Sequence, residues 1–237
     1  MEIKPYKKDS EYSYALGAFV TFELIDAVPE YVEKVLVHST FTDKEKLMRM
    51  CAGRRIPVET NDKYISKLSD KENVFVIGVF KKFSNKLDGA RPHLVLDNPS
   101  NMGNLGTIMR TSCGMGIFDV AIIGNGADTF NPKTVRASMG SFFRIRCEHF
   151  DTFDDYLDAY GSENREIFPF MLDSAKYLMP GQEHGPVYSL VFGNEATGLD
   201  PSYASKGTPL KIAQTEYVDS FNLTIAVGIA EYVFTKT

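Results

Sequence analysis

At 237 residues the chain is long for one average domain and comfortable for two small ones. Hydrophobic residues make up 43% and charged residues 24%, an ordinary globular balance, and no run approaches the ~18 apolar residues of a membrane span. A formal charge of −5 and a pI near 5.5 do not advertise a polyanionic partner. The average hides a gradient. Between Arg91 and Cys147 six basic residues (Arg91, Arg110, Lys133, Arg136, Arg144, Arg146) face three acidic ones (Asp97, Asp119, Asp128), whereas Glu148 to Glu166 is strongly acidic. A local basic face of this kind is compatible with RNA binding without arguing for it alone. The stretch Met1 to Asp9 has basic residues but no apolar core of a signal peptide, which points to the cytoplasm. Cys51, Cys113 and Cys147 are odd in number and scattered, so they read as reduced thiols, neither a disulfide framework nor a zinc site, and no metal is expected.

Along the first 83 residues helical and strand signals alternate. Ala18 to Ala27 predicts a helix, Val35 to Ser39 a strand, and Asp43 to Cys51 a helix capped by Thr42 or Asp43. Ile56 to Glu59 predicts a short strand, Lys63 to Leu68 a polar helix and Val74 to Phe80 a buried strand, together a small α/β sandwich. Lys81 to Pro92 is polar and ends in Gly and Pro, and is the best linker candidate; the division is 1–88 and 89–237. Beyond it short apolar runs recur at His93–Leu96, Val120–Ile123, Ile145–Phe150, Ile167–Leu172, Tyr188–Phe192 and Leu210–Ala213, with helical patterns between most of them. That alternation predicts βα crossovers and a mainly parallel sheet, with ligands bound beyond the carboxyl ends of its strands.

Three loops at such ends carry polar groups that a mere turn does not need. The first, Asp97 to Arg110, combines helix-capping residues with Gly103 and Gly106, so backbone can approach a ligand at a helix N-terminus. Asn104 and Arg110 lie six apart, about 240° around a helix, and would not share a face, which places Asn104 in the loop reaching back toward Arg110. In the second, a buried strand runs into Gly193, and Asn194 and Glu195 are the first polar groups past it; a turn needs Gly or Asn, but not Glu195. The third, Ala213 to Asn222, leads into Leu223–Phe234, apolar nearly all round and so predicted to lie in a core or subunit interface. Asp219, Ser220 or Asn222 would also serve to cap that helix.

The order and spacing of these loops resemble the SpoU (TrmH-like) class of SPOUT RNA 2'-O-ribose methyltransferases. Asn104, Gly106 and Arg110 resemble its motif 1, Gly193 to Leu199 its motif 2 and Ser220-Phe221-Asn222 the Ser-Leu-Asn of motif 3. Pro132 to Ser141 resembles the P-x-x-x-R-A-S-x-G-A helix of the same family. The likeness spans residues 93–234, and residues 12–80 resemble, without a sharp motif, the substrate-binding domain often fused in front, a relative of kink-turn-binding ribosomal proteins. The chain departs at Ile212-Ala213-Gln214, where the family carries Ile-Pro-Met, at Glu216 for its glycine, and at Phe221 for its leucine.

The resemblance implies a C-terminal α/β domain with a trefoil knot, a homodimer joined through the last helix, and S-adenosyl-L-methionine as cofactor. Leu172, Gly193, Asn194, Gly198, Ile212 and Phe221 would hold the cofactor. Arg110, Asn104, Glu195, Ser220 and Asn222 would form the catalytic shell, and Arg136, Arg144, Lys133, Arg54 and Arg55 would contact RNA. A base role for Arg110 conflicts with a guanidinium pKa above ~12, so binding of the hydroxyl or adjacent phosphate and stabilisation of alkoxide fits it better. The front domain favours ribosomal RNA over tRNA as the substrate. The alternatives are a tRNA 2'-O-methyltransferase and a non-catalytic RNA-binding or ribosome-assembly protein of the same fold. A dinucleotide dehydrogenase lacks its G-x-G-x-x-G, since Asp119 falls where the third glycine after Gly114 and Gly116 belongs.

Overall fold

The computed structural model describes residues 3–69, 73–174 and 176–236. In chain order the first elements are β1 (Tyr12–Leu16), α1 (Ala18–Ala27), β2 (Val32–Val37), α2 (Lys44–Arg54), β3 (Val58–Thr60), α3 (Asp62–Leu68) and β4 (Val76–Lys81). There follow β5 (His93–Asp97), α4 (Met102–Met115), β6 (Asp119–Ile123), α5 (Pro132–Ala137), β7 (Arg146–Phe150) and α6 (Phe153–Tyr160). The last are β8 (Glu166–Pro169), β9 (Tyr188–Phe192) and α7 (Leu223–Lys236). By its contacts the chain divides into two compact units: Met1–Phe83 with Asp128–Arg144, and Ser84–Ala127 with Ile145–Thr237.

In the first unit a four-stranded sheet runs β1-β4-β2-β3, with β2 and β3 parallel and the other pairs antiparallel. The period-two pattern of a strand sends Val35 and Val37 to one face, against Ile25, Leu47 and Cys51, and Leu36 to the other, against Tyr14, Ile65 and Ile77. The segment 128–144, which the division at residue 88 places in the second domain, belongs to this unit. Its Phe130, Phe142 and Phe143 rings pack 6.4, 6.3 and 5.3 Å from Phe80, and Phe83 joins them at 5.4 Å from Phe130. Tyr6 Oη donates to Asp128 at 2.5 Å, and Arg144 donates to Glu23 at 2.8 and 3.1 Å. The substitution of any Cβ at Gly140 would bring it to 2.5 Å from Glu23 Cβ, so α1 and this segment meet without a gap.

The second unit is a five-stranded, all-parallel sheet in the order β7-β6-β5-β9-β8. Its central strands are buried along their length, as a parallel sheet covered on both faces requires. Val95, Ala121, Ile123 and Val191 face Phe153 and Tyr156 of α6. Helices α4 and α7 pack against each other, with Leu105, Ile108 and Met109 of the first and Val227, Ala230 and Phe234 of the second buried. Two expectations are corrected, a strand at Leu210–Ala213 and a free linker after Phe83. Leu210–Ala213 is not a strand but contributes two isolated bridges, Phe170 to Leu210 and Tyr177 to Lys211. On α7, Leu223, Val227, Ala230 and Phe234 are buried, while Ile225 and Tyr232, seven residues apart on one face, are 53% and 56% exposed. The residues after Phe83 are not a free linker. Leu87 is 6% exposed in the core, its N–H donates to Glu148 and Tyr160, and Arg165 donates to the carbonyls of Gly89 and Arg91. Burial and the neighbouring Arg165 push His93, at the base of this strap, down to about 4.

Candidate active site

The strand order reverses at β5, which has β6 on one side and β9 on the other, and the loops leaving β5 and β9 meet at that switch point. Asn101 caps α4: its Oδ1 accepts the N–H groups of Gly103 at 2.8 Å and Asn104 at 3.1 Å, so the helix begins at Met102. Asn104 is therefore inside α4, not in the loop before it. Its amide does not reach back to Arg110, which lies six residues on and about 120° away around the axis, but donates to Glu195 Oε1 at 3.2 Å.

Glu195 is the junction of the two loops. Oε2 accepts the Ser100 N–H at 2.9 Å and its hydroxyl at 2.8 Å, and Oε1 accepts the Asn101 N–H at 3.1 Å besides Asn104. Partial burial pushes the carboxyl up, but the bonds from Ser100 and Asn104 outweigh it and hold the group down to about 2. A carboxylate at the N-terminus of α4 also complements the helix dipole. Ser100 and Asn101 escaped the sequence reading as partners because they act partly through backbone N–H groups, which composition does not display.

The glycine-bounded turn after β9 is shaped by close backbone approach. At Gly193 a Cβ would fall 2.1 Å from Gly198 C and 2.3 Å from Leu199 N, and Gly198 itself holds φ +68°. Asn194 donates its amide to the Asn98 carbonyl at 2.8 Å and accepts the Ala196 N–H at 2.9 Å, tying this turn to the loop after β5.

Beside this junction lies a cavity of about 200 Å³. The six residues proposed for the cofactor, Leu172, Gly193, Asn194, Gly198, Ile212 and Phe221, all line it, as do Glu195 and Ser220. Phe170 and Phe192, stacked at 4.4 Å with planes 5° apart, form an aromatic wall. Lys211 and Gln214 line it as well, and the sequence reading assigned neither a role. Asn222 is outside the lining: its Oδ1 accepts the Thr224 N–H at 2.9 Å and caps α7. Arg110 is exposed on α4, and its guanidinium has no hydrogen-bond or ion-pair partner among the described residues. The donor set suits an amphoteric ligand with a flat base: apolar and aromatic walls, one carboxylate, one ammonium and side-chain amides.

Residues 91–232, well over half of the chain, match the SpoU rRNA Methylase family. The chain belongs to that family. Among curated SpoU relatives, the 23S rRNA (guanosine(2553)-2'-O)-methyltransferase RlmP of Bacillus subtilis is 33% identical over 152 residues, 63% of this chain and 59% of the relative. An uncharacterized tRNA/rRNA methyltransferase of Synechocystis is 28% identical over 60% of this chain and 52% of its own length. The SpoU chain thus spans little more than half the length of these relatives. Among solved structures, an AdoMet-bound rRNA methyltransferase from Sinorhizobium meliloti superposes with a TM-score of 0.77 at 25% identity, covering 94% of this chain and 86% of that one.

The basic residues proposed for RNA fall in the first unit of the SpoU chain. Lys133 and Arg55 are exposed, the latter at the left-handed C-cap of α2. Arg136 is half-buried with Nη1 lacking a partner among the described residues. Arg144 is spent on Glu23 and Asp26, and Arg54 pairs with Asp26 at 3.3 Å, so these two are tied to acidic side chains. The sequence division set the five on different domains; the structure gathers them in one unit.

Proposed function

We propose that the chain transfers a methyl group from S-adenosyl-L-methionine to a ribose 2'-hydroxyl of structured RNA, ribosomal RNA ahead of tRNA. The observation that carries this reading is the Glu195 carboxylate, which joins Asn104 of the first motif to the wall of the cavity. Leu172, Gly193, Asn194, Gly198, Ile212 and Phe221 would hold the cofactor, which supplies an activated methyl group on a sulfonium. Glu195, ionised throughout the physiological range, keeps a fixed negative charge in that wall and orients the Asn104 amide. Ser220 adds a hydroxyl at the cavity edge. Asn222 holds the first turn of α7 and thereby the backbone of Ser220 and Phe221.

Arg110 is the acceptor-side group. Its charged fork, without an ion-pair partner among the described residues, binds the 2'-hydroxyl or the adjacent phosphate and stabilises alkoxide as it forms, the proton passing to solvent water. Fixing the hydroxyl in line with the transferred group supplies much of the remaining acceleration. Lys133, Arg136 and Arg55 offer phosphate contacts, with Arg144 and Arg54 available only at the cost of their ion pairs. The exposed apolar face of α7 supports a homodimer, and the bridges from Phe170 and Tyr177 to residues 210–211 support the knotted path; both belong to this proposal, as does a cytoplasmic location.

The test is single-turnover methylation by Arg110→Ala. It should abolish transfer while leaving S-adenosylmethionine affinity within a few-fold, and Arg110→Lys should restore little because a point charge lacks the planar fork. Near-normal turnover in Arg110→Ala would sink the assignment. Mapping 2'-O-methyl sites in total RNA with and without the protein identifies the substrate.

A further inference from the structure

Between Lys211 and α7 the chain runs through an exposed stretch of irregular backbone that ends in Ser220 and Phe221, both in the cavity wall. Among the described residues the backbone of 212–221 forms one tight turn at Glu216–Tyr217 and no well-aligned backbone–backbone hydrogen bond. A side chain closes the loop instead. The Gln214 amide Nε2 donates to the Val218 carbonyl at 3.2 Å and to the Asp219 carbonyl at 2.9 Å, the two peptides that immediately precede Ser220. Gln214 itself lines the cavity. This is the stretch where the sequence leaves its family's pattern: a proline whose ring would fix φ is replaced by Ala213, and Gln214 stands in place of methionine.

We infer that Gln214 is a positioning residue for the cofactor: its amide holds the loop 214–219 closed, so that Ser220 and Phe221 are already in place when the ligand arrives. The inference rests on the reading of the cavity as the S-adenosylmethionine site. Physically, an untethered loop of this length loses its conformational freedom on binding, and that loss subtracts from affinity; a loop tied beforehand loses less. The tether needs two donors on one nitrogen, which a primary amide has and a thioether or carboxylate lacks.

Gln214→Glu keeps the shape but turns two acceptor carbonyls toward an acceptor-only group. At pH 7.5 calorimetry should show S-adenosylmethionine affinity about tenfold weaker, the worth of two modest hydrogen bonds at an exposed site. Lowering the pH through the carboxyl's titration gives that variant one O–H donor, and its affinity should recover in part. Gln214→Met should be weakened to the same degree with no recovery. The other charged groups nearby, Lys211, Glu195, Glu216 and Asp219, are present in every form, so the wild-type pH profile is the baseline. In turnover the KM for the cofactor should rise while kcat at saturation stays near wild type, and melting temperatures should be unchanged because the loop is exposed. Variants that bind within twofold of wild type, or a Gln214→Glu profile that parallels the wild-type profile, would overturn the role of Gln214. A wild-type protein that fails to bind S-adenosylmethionine would instead refute the assignment of the cavity.

Discussion

Replacing Glu195 by Gln isolates the charge at the junction of the two loops while keeping its shape. If the new amide nitrogen takes the place of Oε2, it faces the Ser100 N–H and hydroxyl; the hydroxyl can turn and accept, but the N–H cannot. If it takes the place of Oε1, it faces the Asn101 N–H and the Asn104 amide; the amide can flip, but the N–H cannot. Either orientation strands one backbone donor and replaces charge-assisted bonds by neutral ones. Hydrogen bonds to a charged group contribute ~1.5–3 kcal/mol, and partial exposure argues for the low end, so the substitution should cost about 2 kcal/mol. In a chain of this size that is a fall in Tm of roughly 4–8 °C. The carboxyl is held down to about 2 from an ordinary 4.5, so its contribution is complete above pH 4.5 and disappears as pH falls toward 2. Urea unfolding of both proteins at pH 7, 5, 4 and 3 should therefore give stabilities that converge in acid. Curves that stay parallel would refute the charge argument, and unchanged methyl transfer in the variant would remove Glu195 from the catalytic shell.

Gly193→Val should abolish binding of S-adenosylmethionine in calorimetry, because its Cβ would overlap the Gly198–Leu199 backbone; normal affinity would show that the cavity lies elsewhere. Glu231 of α7 is fully buried, accepts the Ser112 hydroxyl at 2.5 Å and has a second oxygen without a partner among the described residues. Burial pushes its carboxyl up to about 8. Since the unfolded group ionises near 4.5, the native state is progressively penalised as pH rises from there to about 8. Glu231→Gln should then be more stable than wild type at pH 8, by on the order of 3 kcal/mol, and near parity at pH 4 in denaturant titrations. Equal stability at both pH values would count against a neutral buried carboxyl.

Helix α1 and strand β9 were legible from end to end, because each is a contiguous signal bounded by breakers. Strand β1 was missed: Tyr-Ser-Tyr-Ala-Leu is short, mixes polar and apolar groups, and is fixed by antiparallel pairing with residues more than sixty positions away. Leu210–Ala213 has strand composition, yet only two of its residues find bridging partners. Eight residues of the cavity lining, the six assigned to the cofactor together with Glu195 and Ser220, followed from family resemblance, while Lys211 lies outside the quoted motifs and Gln214 was visible only as a departure from one, its role emerging from geometry. The placement of Asn104 failed for a local reason: two asparagines compete to cap α4, and Asn101 captures the free N–H groups first.

The membership of residues 128–144 in the first unit bears on how the protein is made. When Phe83 leaves the ribosome, that unit still lacks Phe130, Phe142 and Phe143, the rings that cover Phe80 and Phe83. Its completion waits for strands β5 and β6 of the other unit to emerge, so the two are interleaved in time as well as in sequence. A gene cut at the apparent boundary would then yield two incomplete products: a front piece with a bare aromatic patch, and a back piece carrying a seventeen-residue segment whose three phenylalanines have nothing to fold against. Insertions or exchanges that treat the front unit as a cassette would have to carry both of its segments.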